Sequence, residues 1–148
     1  MTTIHRSPAH EIVDRIASLA QLDEPAKAIG KSVRRTVPAG PVKDALSGVW
    51  LGHALHPLLT DLPIGTWTSA VLLDWLGGRS GQAAADRLIA MGIGFTAPAV
   101  VTGWTEWADS EVGDEGVRRV GLVHAAANVG ATALFGASLA ARKNGSRG

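Results

Sequence analysis

The chain is 148 residues long, which leaves room for one domain with a modest core and none for a second catalytic domain. It is 46% hydrophobic and only 18% charged, against the ~25% charge of an ordinary soluble domain, and its mean hydropathy is +0.15, so the balance tilts toward a membrane. A net charge of +1 gives no electrostatic case for nucleic acid, and the lack of cysteine excludes disulfides, thiolate zinc sites, iron–sulfur clusters and covalent haem attachment in this chain.

The first thirty residues hold no uninterrupted apolar core, so no cleaved signal peptide is expected. Ser7-Pro8 makes a good helix start, and Ile12, Ile16, Leu19 and Ala20 recur on one face, which predicts a short amphipathic helix. A second start at Glu24-Pro25 leads into Ala26, Ile29, Val33 and Val37 on one side, with Lys27, Lys31, Arg34 and Arg35 on the others. Two readings fit: a solvated helix packed on the rest of the chain, or a basic helix lying on an anionic leaflet. Pro38-Ala39-Gly40-Pro41 ends it. The segment 1–41 is thus an amphipathic, partly basic amino-terminal region, 42–143 a membrane helical bundle, and 144–148 a disordered tail.

Three apolar blocks follow. The first runs from about Val49 to Leu76 and stops at Gly77-Gly78, with Pro57 and Pro63 expected to make its entry irregular or kinked and His56 biased away from helix by the proline after it. The second covers about Ala83 to Trp104, and the third about Val117 to Ala141. Gly92, Gly94, Gly103, Gly121 and Gly130 give these two blocks the small-residue surfaces that close helix packing in lipid favours. The simplest fold class is therefore all-α, a transmembrane bundle of three spans preceded by amphipathic helices. Trp50, Trp75, Trp104 and Trp107 fall near block ends, where an aromatic belt sits, although ordinary core tryptophans read the same way. Loop lysines and arginines favour a cytoplasmic amino terminus.

An odd number of crossings puts His53, His56 and Asp61 at the entrance of the first block in the same leaflet as Glu106, at the exit of the second, and His124, near the start of the third. Asn128 lies one turn below His124 on the same face. Ionisable groups inside a membrane are costly and mark function by default. Three chemistries compete: a b-type haem ligated by His124 and either His53 or His56; a divalent transition metal held by His53, His56 and His124 with Asp61 or Glu106; or a metal-free network that moves protons or orders the helix entry. The His-x-x-His spacing favours a metal slightly. Asp74 reads as an interfacial cap, and Asp109, Glu111, Asp114 and Glu115 as a solvated acidic loop whose spacing does not suit calcium. No nucleophile elbow and no phosphate loop is present.

The run Trp50-Leu51-Gly52-His53-Ala54-Leu55-His56-Pro57, continued by Asp61-Leu62-Pro63-Ile64-Gly65, resembles the signature of a bacterial membrane family called domain of unknown function 2231. So do Thr102-Gly103-Trp104-Thr105-Glu106-Trp107 and Arg118 through Asn128, and the resemblance covers about 45–143. It implies a helical membrane protein, in relatives usually of four helices and sometimes fused to a Rieske iron–sulfur domain, and hence electron-transfer surroundings. Many relatives carry histidine at the position of Asp61 and aspartate at that of Glu106, and they continue into a fourth apolar segment. Together these readings predict a multi-pass protein of the bacterial inner membrane, a haem- or transition-metal-binding subunit supporting redox chemistry. It would contact lipid, self-associate or take a fourth helix from a partner, and work beside a Rieske-type protein. The alternative is a non-catalytic structural or assembly subunit whose histidines form a metal-free network.

Overall fold

Apolar runs punctuated by glycine and proline give helices, and every regular element is helical among residues 7–145, the part described in this computed structural model. His5 and the end of the expected tail, 146–148, lie outside the described residues. An amino-terminal arm comes first, made of α1 (Pro8–Ala17), a 3-10 turn (Ala20–Leu22) and α2 (Asp23–Thr36). A short α3 (Pro41–Leu46) and a second 3-10 turn (Val49–Leu51) lead into three long helices, α4 (Leu55–Leu76), α5 (Gly78–Ser110) and α6 (Glu115–Lys143).

α4 is less broken than its prolines suggest. Pro57 falls in the first turn, where an amide has no intrahelical acceptor to lose, and Pro63 is carried inside the helix. The irregular entry lies earlier, in the 3-10 turn and in Gly48 and Gly52, both left-handed. His56 is helical despite the following proline because its amide is capped from another helix by Glu106. By length and composition two helices, α5 and α6, can cross a membrane, and α4 is not among them. The histidine, prolines, threonines and aspartate of its first half dilute its hydropathy, so the expected count of three spans does not follow from apolar length alone.

α5 is the spine. α4 folds back along it through a corner at Gly77, and Ala70, Ala85 and Ile89 form the buried core, with Leu73, Leu88, Ile93, Phe135 and Leu139 packed around them. α6 also packs along α5 and touches α4 at two places. Trp67 stacks on Phe135 with ring centroids 4.3 Å apart, and Arg142 donates to Asp74 Oδ1 at 2.8 Å and to Asp86 at 3.4 Å. Asp74 is therefore the partner of an arginine in its own chain rather than a cap for another helix.

Three glycines expected to bring helix backbones together instead seat side chains. A Cβ at Gly92 would collide with Trp67, one at Gly121 with Trp107, and one at Gly103 would lie 2.6 Å from His56 Cε1. Gly94 and Gly130 have open space beside them.

The arm docks on the α5–α6 turn through an ion network. Arg119 grips Asp23 with two hydrogen bonds of 2.8 and 2.9 Å and also reaches the Ala17 carbonyl and Glu115. Glu111 is 1% exposed and accepts from Arg118 and Arg34, each at 2.8 Å. Of the acidic stretch expected to be solvated, only Glu111 is buried; Asp109, Asp114 and Glu115 are exposed, Asp109 pairing with Lys43 at 2.6 Å and Glu115 with Arg119. Arg34, likewise, serves docking rather than solvent, and Gly30 leaves the space that Glu111 fills. The Arg119 hydrogen bonds hold Asp23 at about 2, below its ordinary 3.8. Burial pushes Glu111 upward, but hydrogen bonds from Arg118 and Arg34 outweigh it and leave the carboxyl below its usual range.

Candidate functional site

At the end of the bundle opposite the Arg142 cluster, α4 and α6 stand apart on α5 and leave a half-open cleft of about 540 Å³. Its volume lies in the ~300–1,000 Å³ range of small-molecule sites. α5 forms the floor, with Thr96, Val100, Gly103, Trp104, Glu106 and Trp107; α4 contributes His56, Thr60, Ile64 and Trp67; α6 contributes Gly121, His124, Ala125, Asn128 and Thr132. The Trp67–Phe135 stack lies where α4 and α6 meet below it. The Trp67–Phe135 and Asp74–Arg142 pairs keep one offset between α4 and α6, and the same offset carried upward sets His124 opposite His56.

Sequence spacing brings His56 into the cleft, and two contacts hold it there. Its backbone amide donates to Glu106 Oε1 at 3.2 Å, so a carboxylate on α5 caps the first turn of α4. Its ring Nδ1 lies 2.8 Å from the Ala99 carbonyl, which can only accept; Nδ1 therefore carries the proton, and Nε2 is left as the lone-pair nitrogen of the neutral ring. The bare α-carbon of Gly103 makes room for that ring. On α6, the Asn128 side-chain amide donates to His124 Nε2 at 3.0 Å and to the His124 carbonyl at 2.8 Å, and Thr132 donates to the Asn128 carbonyl. His124, Asn128 and Thr132 thus form a polar ladder one turn apart.

Four of the six expected site residues, His56, Glu106, His124 and Asn128, line this one cleft. His53 and Asp61 do not. His53 precedes α4, is exposed, and turns its Nδ1 onto the neighbouring Ala54 carbonyl; Asp61 is exposed on α4 away from the cleft lining. The His-x-x-His pair therefore does not converge, because its first member lies before the helix and its second inside it. Among the described residues no group of three histidine or acidic side chains is placed to hold a metal ion. Thr60, Thr132 and the tryptophans of the lining escaped sequence reasoning, although Thr60 and Thr132 sit at helical spacing from His56 and Asn128 and could have been found by extending those faces. Trp104 and Trp107 meet edge to face at 5.1 Å and line the cleft, whereas Trp50 and Trp75 are 69% and 79% exposed, as belt residues would be.

An all-helical bundle with two helices long and apolar enough to cross a bilayer, and with large aliphatic side chains exposed, is consistent with a membrane protein. Residues 52–148 match the family model of predicted membrane proteins named DUF2231, and the chain belongs to that family. No curated protein and no solved structure matches it.

Proposed function

We propose that this chain is a membrane subunit that crosses the bilayer three times and supports redox chemistry by holding a flat, mainly apolar group in the α4–α5–α6 cleft, with His56 in contact with it. The observation that carries the reading is His56 itself, a ring fixed through Nδ1 at the wall of an aromatic-lined cleft with Nε2 uncommitted. A hydrogen bond through one ring nitrogen prepares the other to ligate or to hydrogen-bond.

A third crossing by α4 is supported by its surroundings. From His56 to Asp74 it rises about 27 Å at ~1.5 Å per residue, close to a ~30 Å hydrocarbon core. Exposed Trp50 and Trp75 flank it. The neighbouring stretches of α5 between Arg87 and Glu106, and of α6 between Arg119 and Arg142, contain no charged residue. A site in the bacterial inner membrane with the amino terminus inside is the placement that the loop charges favour.

Of the two cofactors expected, the donor set suits haem better than a bare ion. One imidazole nitrogen is available and three converging donors are not. Haem bound in this cleft would supply one-electron chemistry; the chain would orient it through His56 and cover it with Trp104 and Trp107. For His124 Nε2 to hold it as well, Asn128 would have to release that nitrogen. Self-association, a helix from a partner or a Rieske-type electron donor would complete such a subunit. A metal-free structural network is the second reading, and the Asn128–His124 and Glu106–His56 bonds favour it.

The optical spectrum of the detergent-purified protein, with metal analysis on the same sample, tests this. A Soret band lost in His56→Ala and retained in His53→Ala is the expected result for haem. If the native-membrane preparation yields neither haem, metal nor any co-purifying organic ligand, the binding reading is wrong and the structural one stands.

A further inference from the structure

Resting on the cleft as a ligand site, but not on haem as its occupant, we infer that the cleft takes a lipid-dissolved, neutral, hydroxyl-bearing ring of the quinol class. The chemistry of its polar end decides the class. Among the described residues no lysine or arginine lines the cleft, whose titratable groups are His56, Glu106 and His124. The nearby cations are already engaged: Arg118 and Arg34 with Glu111, Arg119 with Asp23, Lys43 with Asp109. An anionic head, whether a fatty acid, a phosphate or a haem propionate, would meet the Glu106 carboxylate with no fixed cation to balance it.

The polar end instead offers acceptors. Nδ1 of His56 is committed as a donor to Ala99, which leaves Nε2 with a lone pair, and Glu106 spends Oε1 on the His56 amide and keeps Oε2. Two acceptors at one end call for O–H donors on the ligand. Trp67, Trp104 and Trp107 supply the faces and edges that a flat ring packs against. Access follows from the same geometry. The cleft opens between α4 and α6 beside the charge-free stretches of α5 and α6, so a molecule dissolved in the hydrocarbon enters sideways, ring toward His56 and tail toward lipid.

The test uses the full chain in lipid nanodiscs under anaerobic conditions, with a decyl-tailed benzoquinol as probe and tryptophan fluorescence as readout, since three of the five tryptophans line the cleft. Saturable quenching is expected, weakened about tenfold or more in His56→Phe and in Glu106→Leu, as loss of a buried hydrogen bond implies. Because Glu106→Leu also uncaps α4, Ala125→Phe serves as a second variant that fills the cleft from α6 and should abolish saturation. Asp61→Asn, outside the lining, should bind as the unaltered chain does. Decanol or decanoate displacing the probe as well as excess quinol does would overturn the ring class while leaving the cleft a ligand site. A haem absorbance that Ala125→Phe abolishes would also overturn it. Quenching that never saturates and is the same in every variant would overturn both the quinol and the cleft.

Discussion

Glu111→Ala is expected to release the amino-terminal arm from the bundle. The carboxylate is 1% exposed and accepts from Arg118 and Arg34, so its removal takes the side-chain acceptor from a buried guanidinium on α6, leaving it the Glu111 carbonyl and Asp23, and leaves Arg34 of α2 only the Ala108 carbonyl. Deleting one partner of a buried pair costs on the order of 3 kcal/mol, far more than the loss of a surface ion pair. Glu111→Gln, which keeps an acceptor oxygen, should fall between. Hydrogen exchange at the α2 amides should rise sharply in the alanine variant while exchange in α5 stays slow. Unchanged protection of α2 would mean that Ala26 and Gly30, its buried small residues, hold the arm without the ions. Acid should act in the same direction. Asp23 and Glu111 are both held below their ordinary values, so their contribution is complete only above about pH 5, clear of the ordinary 4.5 of Glu111, and is lost as the pH falls toward 2, where Asp23 titrates in the folded chain.

The second large effect is expected at Gly92. A side chain there meets the Trp67 indole and Thr66 Oγ1, and Trp67 cannot yield because Phe135 stacks on its face. Gly92→Val should therefore destabilise the α4–α5 pair by about 1–3 kcal/mol, the usual cost of overpacking. Gly94→Val, two residues along the same helix and facing open space, should cost little. Thermal aggregation of the two variants in one detergent, followed by tryptophan emission, compares them directly. Equal stability would show that Trp67 is not wedged between α5 and α6.

Much of the bundle is legible in the residues. The three apolar blocks became α4, α5 and α6, the corner fell at Gly77-Gly78, and the up-and-down path of the three helices brings His56, Glu106, His124 and Asn128, though not His53 and Asp61, to one cleft. What escaped depends on partners distant in sequence. Glu111 looks like one more solvated acid until α2 folds back and brings Arg34 to it. Glycines on an apolar helix are equally suited to a neighbouring backbone or to a bulky side chain, and only the facing residue decides; Gly103, Gly92 and Gly121 all received rings. The orientation of Asp61 was hidden for a third reason. Because polar and apolar residues are scattered over every face of α4, its 3.6-residue period has no contrast, and a residue cannot be phased to the cleft or to the outside.

Cysteine labelling tests most directly whether three helices cross together to enclose the cleft, and the chain offers a clean background because it has no cysteine. Single cysteines at Val42, ahead of α4, at Ser80, beyond the α4–α5 corner, and at Gly113, in the α5–α6 turn, would be probed in sealed vesicles with a membrane-impermeant reagent. Val42 and Gly113 should react from one face and Ser80 only from the other. Labelling of Val42 and Ser80 from the same face would show that α4 does not cross, and the three-span account would fail.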